Sequence, residues 1–111
     1  MNVSLIVSIV RKGWGNAVLE ASTTAGANGG TLLLGRGTGI HEKQKILGIL
    51  IEPEKEILLT IVRSEIVDVV LKAIVAAGEL EKPGAGTAFV MPIQNVIGAI
   101  HLKQVSPDES G

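Results

Sequence analysis

Two short glycine-rich segments carry the residue types that could bind an anion. Residues 35–39 read GRGTG, and residues 84–87 read GAGT. Glycines let the backbone approach an anion closely, so that successive N–H groups point at it. Each segment also holds a threonine hydroxyl, and a basic residue lies within the first segment and just before the second. Together the two segments could hold phosphate groups, although glycines at such positions also serve simple turns.

Neither segment matches a well-defined phosphate motif. The Gly-Lys-Ser/Thr signature of a Walker A loop is missing from both. The first segment does not open a helix, as the glycine-rich turn of a Rossmann unit does. The residues alone therefore leave phosphate binding and turn formation both open.

Composition and charge exclude several classes of function. Ten basic and eleven acidic residues give a net charge of −1, which provides no electrostatic footprint for nucleic acid or an anionic membrane. The chain has no cysteine, which excludes a disulfide framework, a thiolate zinc site and a cysteine nucleophile. Neither a Ser–His–Asp set nor a pair of carboxylates is placed for catalysis, so we expect no enzymatic activity.

The apolar segments are those of a soluble domain. No apolar run approaches the roughly 18 residues that a membrane span needs. Residues 3–10 alternate with a period of two, which predicts a strand and not a signal peptide. We therefore expect a cytoplasmic location.

The hydrophobic pattern predicts two helices and five strand segments, one strand more than the order strand, helix, strand, strand, helix, strand that we infer from it. The predicted strands cover residues 3–10, 31–34, 46–51, 57–62 and 88–91, and the predicted helices run from an Asn16 cap to 25 and from a Ser64 cap through 66–77, where Gly78 ends the second helix. This order is that of an α+β, ferredoxin-like βαββαβ sandwich. We assign it to one domain, residues 1–104, followed by a disordered tail, residues 105–111.

One face of the predicted sheet has no helix to cover it. We place the apolar residues Ile6 and Val10 on this open face, together with part of the fourth strand. The chain has one Trp and one Phe, so its core must be aliphatic. A hydrophobic content of 46 % is high for a small soluble monomer, so either the core is unusually complete or apolar surface is covered by another subunit, and we favour the second interpretation. An oligomer with closed cyclic symmetry is expected. Residues 37–45 form a polar loop that we expect to be flexible at its tip.

Three stretches carry a resemblance to a known family. They are residues 29–37 (GGTLLLGRG), 64–70 (SEIVDVV) and 83–93 (PGAGTAFVMPI). The first is similar to the second strand and effector-loop base of the P-II signalling proteins, the second to the start of their second helix, and the third to their phosphate-binding loop and the strand after it. The resemblance covers roughly residues 3–100 and is strongest to divergent P-II-like proteins.

The resemblance implies a non-catalytic signal-transduction protein. Such a protein is a homotrimer that binds ATP, ADP or AMP in clefts between subunits and regulates a transporter or metabolic enzyme through a mobile loop, here residues 37–45. The nucleotide-binding residues that it implies are Val7, Gly35, Arg36, Gly37, Thr38, Thr60, Val62, Lys82, Gly84, Ala85, Gly86 and Thr87. The resemblance implies that Val7, Thr60 and Val62 lie near the adenine and that residues 84–87 contact the phosphates.

The sequence departs from the main branch of that family at several basic positions. Thr87 stands where the main branch has a lysine, Thr38 where it has an arginine, and two arginines near Gly98 and Ile100 are missing. We therefore expect phosphate to be held mainly by backbone amides and hydroxyls. The chain has no tyrosine, so modification by tyrosine uridylylation is excluded.

Two other interpretations share the predicted architecture. One is a trimeric ferredoxin-like protein of the metal-tolerance type that binds no nucleotide; the absence of cysteine counts against it. The other is an acylphosphatase-type enzyme, which needs an arginine and an asparagine poised in an anion cradle.

Trp14, between two glycines, either caps the core or lies at a subunit edge.

Overall fold

The computed structural model describes residues 2–37, 44–46, 49–51 and 53–98. Its elements in chain order are β1 (Val3–Arg11), α1 (Gly15–Thr24), β2 (Thr31–Arg36), β3 (Gln44–Ile46), β4 (Ile49–Ile51), β5 (Glu54–Arg63), a 3₁₀ turn (Ser64–Ile66), α2 (Val67–Gly78) and β6 (Gly86–Ile93). Within this described part of the chain, both helices are too short to cross a bilayer.

Four strands form one antiparallel sheet in the order β2-β5-β1-β6. The connections β1-α1-β2 and β5-α2-β6 are two interleaved split βαβ units, and α1 and α2 pack against each other on one face of the sheet. The α+β, ferredoxin-like fold predicted from the order of elements is thereby confirmed.

The core lies between the sheet and the two helices, and it corrects our assignment of the sheet faces. Ile6 and Val10 are fully buried here, in a cluster with Val18 of α1 and Val70 and Ile74 of α2. The prediction that the two β1 residues belong to the open face was wrong. Because β1 carries apolar side chains at both odd and even positions, its alternation does not say which set the helices cover.

The predicted third strand, residues 46–51, is also corrected. It is divided between two paired strands, because Ile46 of β3 lies opposite Ile49 of β4 in a separate two-stranded sheet. The third strand of the fold is instead β5, which begins at Glu54, three residues before the predicted start of residues 57–62. Apolar β-branched residues favour extended backbone but do not show whether a run continues straight or folds back.

The helix starts differ from those predicted. α1 begins at Gly15 with Trp14 in the N-cap position, and Asn16 lies inside the helix. Ser64 starts a 3₁₀ turn, where its hydroxyl bonds the hydroxyl of Ser4 at 2.7 Å and does not cap a helix. The 3₁₀ turn delays the start of α2 to Val67.

The ends of α2 and β6 differ as well. The left-handed residue that ends α2 is Glu79, with φ 53°, and Gly78 is the last helical residue. β6 continues through Pro92, which was predicted to end the strand. A proline is tolerated there because β6 lies at the edge of the sheet.

Parts of two predicted segments fall outside the described residues. These are residues 38–43 of the predicted loop and the whole predicted tail, residues 105–111. The last two loop positions, Gln44 and Lys45, belong to β3, so the loop prediction extended too far.

Candidate functional site

The register of the sheet places both glycine-rich segments at the same end of the fold. Gly35 lies opposite Lys55, Lys55 opposite Arg11, and the preceding residue of β1, Val10, opposite Gly86. The two segments lie on the two edge strands, separated by three inter-strand spacings of about 4.8 Å, or about 14 Å. They therefore share one end of the sheet without forming one compact phosphate cradle within a single chain.

The first segment closes the stem of the β2–β5 connection. Gly35 packs closely, since a Cβ there would lie 3.1 Å from Cδ1 of Ile57. Arg36 is exposed and lies opposite Glu54. The N–H of Gly37 donates a hydrogen bond to the carbonyl of Pro53 at 3.2 Å, which ties the two sides of the stem together. Thr38, predicted as a site residue, lies outside the described residues.

The second segment belongs to a tight connection between α2 and β6. The N–H of Lys82 bonds the carbonyl of Glu79 at 3.0 Å, and the N–H of Ala85 bonds the carbonyl of Lys82 at 3.2 Å. Ala85 is buried, and its N–H is used by this hydrogen bond within the turn. Gly84 has a φ of 77° and is half-exposed, and Thr87 is exposed. The residues of this segment that are accessible are therefore Gly84, Gly86 and Thr87.

Gly86 has a structural requirement of its own. Its φ is 138°, and a Cβ at this position would lie 2.1 Å from the carbonyl oxygen of Ile9. This contact is far below van der Waals distance, so only glycine lets β6 start beside β1. This glycine, predicted as a phosphate contact, is needed for the fold whether or not phosphate binds.

Lys82 already has an anionic partner. Its Nζ lies 2.7 Å from Oε1 of Glu79, and both side chains are at the surface. The hydrogen bond from Lys82, followed by the charge of Lys82, lowers the pKa of Glu79 below its ordinary value. A phosphate that recruits Lys82 must compete with this carboxylate.

The residues predicted near an adenine are divided between the two sheet faces. Val7 lies on the open face, half-buried, opposite Leu59 and Phe89. The side chains of Thr60 and Val62 lie in the core on the other face, 0 % and 2 % exposed. A ligand on the open face can reach the backbone of these two residues but not their side chains.

A groove on the open side of β5 offers apolar walls next to the predicted positions. It has a volume of about 240 Å³ and is lined by the end of the α1–β2 connection and by alternate residues of β5, namely Asn28, Gly29, Gly30, Thr31, Leu59 and Ile61. A planar ring could lie against Leu59 and Ile61 while Asn28 and Thr31 offer polar groups. Leu59 and Ile61 were not predicted as site residues, because the sequence pattern does not say which face of β5 is open.

Two further features, at the end of the sheet that holds the glycine-rich segments, were also missed. The guanidinium of Arg11 lies 3.8 Å from the centroid of the Trp14 ring, and its Nη2 donates a long 3.5 Å hydrogen bond to the carbonyl of Gly78. Oε1 of Glu56 accepts hydrogen bonds from the N–H groups at the start of α1. The spacing of Arg11 and Trp14 was visible in the sequence, whereas nothing in the sequence links Glu56 to α1.

The β1–α1 turn is also joined to the stem of the β2–β5 connection by an ion pair. Nζ of Lys12 lies 2.6 Å from Oε2 of Glu54. The hydrogen bond, and then the charge of the partner, lowers the pKa of Glu54 and raises the pKa of Lys12. Among the described residues no group of three or more His, Asp and Glu side chains is placed to hold a metal ion.

Comparison with known proteins gives one family. Residues 3–100 match the family model described as Nitrogen regulatory protein P-II. The match spans every element of the main sheet and both helices. No curated protein matches the chain.

Proposed function

The chain belongs to the nitrogen regulatory protein P-II family, and we propose that it is a trimeric signalling protein that binds an adenine nucleotide. Proteins of this family are regulators and not enzymes. The proposal is that ATP, ADP or AMP binds between subunits, and that the nucleotide state is reported to a transporter or metabolic enzyme in the cytoplasm.

The observation that carries the proposal is the open face of the sheet. It presents a continuous set of apolar side chains from all four strands: Leu5, Val7, Ile9, Leu33, Ile57, Leu59, Ile61, Phe89 and Met91. Three of them are strongly exposed in the single chain, with 44 % of Leu33, 44 % of Phe89 and 49 % of Met91 accessible. An apolar surface of this extent favours burial against further copies of the chain, and a closed ring of three would cover it in every copy.

Assembly also offers a solution to the separation of the two glycine-rich segments. Within one chain they lie about 14 Å apart on opposite edge strands. When subunits meet around an axis, the edge of one sheet approaches a different edge of its neighbour, so residues from two chains can contact one ligand. We place the adenine against Val7 and the groove formed by Leu59 and Ile61, and the phosphates near Gly84 and Thr87.

The connection between β2 and β5 is proposed to report the bound state. Gly35, Arg36 and Gly37 form its first arm, which is held to the second arm by the Gly37–Pro53 hydrogen bond. A nucleotide that contacts Gly35 would alter this stem, and the segment that follows Gly37 would carry the change to the partner protein.

Isothermal titration calorimetry with ATP, ADP and AMP tests the proposal. We expect at least one of them to bind more tightly than about millimolar, with one site per subunit. Sedimentation velocity of the same samples should show a trimer. If none of the three binds better than about millimolar, the nucleotide proposal is wrong; if the protein sediments as a monomer, the proposed clefts between subunits do not exist.

A further inference from the structure

We propose that Arg11 is a phosphate-binding residue of the nucleotide site. This inference rests on the function proposed above and adds to it a cation that was not among the predicted site residues. Arg11 ends β1 and lies at the entrance to the α2–β6 connection. Three features favour this role: the position of Arg11 beside the connection, the stacking of its guanidinium on Trp14, and its unused hydrogen-bond donors.

Arg11 lies next to the glycine-rich segment that precedes β6. The residue before it, Val10, lies opposite Gly86 in the β1–β6 ladder, so Arg11 follows directly at the point where this segment joins β6. Nη2 of Arg11 reaches the carbonyl of Gly78, at the other end of the α2–β6 connection. The backbone of Arg11 therefore lies beside one end of the connection that carries Gly84, and its guanidinium lies beside the other end.

The guanidinium is also held in place before any ligand arrives. It stacks on the ring of Trp14 at 3.8 Å from the centroid, a cation–π contact. The backbone of Trp14 is held next to Arg11 by a hydrogen bond from its main-chain N–H to the carbonyl of Arg11 at 3.0 Å. A side chain fixed in this way loses little further conformational entropy when it binds an anion.

The hydrogen-bonding capacity of Arg11 is largely unused. A guanidinium has five N–H donors. Within the described residues, its one hydrogen bond is the long 3.5 Å bond from Nη2 to the carbonyl of Gly78, so the two outer Nη groups keep donors for a ligand, whereas Nε is buried without a hydrogen-bond partner. In the same part of the structure no carboxylate forms an ion pair with it. A phosphate can accept two parallel bonds from such a group, and charge-assisted bonds of this kind are about twice as strong as neutral ones.

Lys82 provides the contrast within the same connection. Its ammonium group is engaged by Glu79 at 2.7 Å, so its charge is compensated before a ligand binds. The charge of Arg11 also lowers the pKa of Glu79, but it is a smaller influence than Lys82, and none of the ion pairs among the described residues includes Arg11. Arg11 is therefore the less compensated of the two cations and the stronger candidate for the phosphate.

The test compares ligands with and without phosphate. Binding of ADP, adenosine and inorganic pyrophosphate is measured by calorimetry on the wild-type protein, Arg11→Lys and Arg11→Gln, with the fluorescence of Trp14, the one tryptophan, as a second readout. We expect Arg11→Gln to weaken ADP and pyrophosphate about tenfold or more and to leave adenosine unchanged. Arg11→Lys keeps the charge without the planar fork, so it should fold like the wild type and lose affinity by a smaller factor. Lys12→Gln, which removes the neighbouring charge, is the matched control and should change ADP affinity less than about threefold.

The outcomes separate this inference from the proposed function. If the wild-type protein binds ADP and Arg11→Gln binds it equally well, Arg11 is not a phosphate ligand and the proposed function stands. An equal loss of adenosine and ADP affinity in Arg11→Lys would show a structural effect and overturn the inference. If the wild type binds no adenylate, the function proposal fails; pyrophosphate binding that Arg11→Gln abolishes would then still establish an anion site at Arg11, and its absence would overturn both.

Discussion

The carboxylate of Glu56 in β5 caps the first turn of α1 through Gly15. Its Oε1 accepts a hydrogen bond from the N–H of Gly15 at 2.7 Å and another from the N–H of Gly13 at 3.0 Å. Trp14, in the N-cap position, makes no side-chain cap of its own. A negative charge at a helix N-terminus satisfies free N–H groups and interacts favourably with the helix dipole. α1 therefore depends on a residue 41 positions away, on the strand that follows the β2–β5 connection.

Replacing Glu56 by alanine should destabilise the protein by about 1–2 kcal/mol, because two N–H groups at the start of α1 lose their acceptor. Urea unfolding followed by circular dichroism measures this loss. Glu54→Ala is the matched control, since it removes a carboxylate of the same strand whose ion pair is exposed, and its effect should be much smaller. Equal losses in the two variants would contradict the capping role.

Gly15→Ala tests the same contact from the other side. A Cβ on Gly15 would lie 2.7 Å from Oε1 of Glu56, so the substitution must displace the carboxylate. We expect it to destabilise the wild-type protein by about 1–2 kcal/mol and to cost clearly less in the Glu56→Ala background, where the carboxylate is absent. Additive effects in this double-mutant cycle would show that the two residues do not interact as described.

Gly86→Ala should be far more damaging than an alanine at another glycine of positive φ. Gly29 has a φ of 127°, and a Cβ there would meet nothing within 4 Å, so Gly29→Ala reports the backbone cost alone, about 1–2 kcal/mol. Gly86→Ala adds a collision with the carbonyl of Ile9 and should cost about 3 kcal/mol or more. Unfolding curves of the two variants decide the matter; a similar cost for both would mean that β6 can move away from β1 freely.

The order of elements could be predicted because each element carries a local signal. α2 has apolar residues at helical spacing, and Ile74 and Val70 do face the core. β1 has the period of two that marks a strand. Two helices and a strand order of this kind leave few possible topologies. The family resemblance agreed with that order over the same residues, 3–100.

The predictions of the sheet faces and of the cap of α1 were wrong because both features depend on contacts between residues that are distant in sequence. β1 is apolar on both sides, so only the packing of α1 and α2 determines that Ile6 and Val10 are the buried set. That choice in turn decides that Thr60 and Val62 point into the core while Leu59 and Ile61 line the open groove. The cap from Glu56 could not be predicted for the same reason, because its partner at Gly15 lies on another element.

Met91→Glu should convert the proposed trimer to monomers. Met91 lies on the open sheet face and is 49 % exposed in the single chain, so a subunit interface there would bury the introduced carboxylate at high cost. Light scattering coupled to size-exclusion chromatography measures the mass. Val69→Glu is the matched control: Val69 is 58 % exposed but lies on α2, on the opposite side of the sheet, and its variant should remain trimeric. A trimeric Met91→Glu protein would exclude this face as the subunit interface.

The ion pair between Lys12 and Glu54 should make stability depend on pH in a defined window. The hydrogen bond and charge of Lys12 lower the pKa of Glu54 below its ordinary 4.5, so the contribution of this carboxylate is present above pH 4.5 and is lost as the pH falls through the lowered value. The pKa of Lys12 is raised above its ordinary 10.5 by its hydrogen bond to Glu54, so its contribution is present below pH 10.5 and is lost as the pH rises through the raised value.

The wild-type protein should therefore be more stable than Glu54→Gln at about pH 7, and the difference should shrink towards zero in acid. Because both side chains are exposed, high salt should reduce the difference as well. Urea unfolding at a series of pH values measures it, with Glu20→Gln on the exposed side of α1 as the control for losing one carboxylate. A wild-type advantage over Glu54→Gln that stays constant from neutral pH into acid would show that the ion pair does not hold the β1–α1 turn to the stem of the β2–β5 connection.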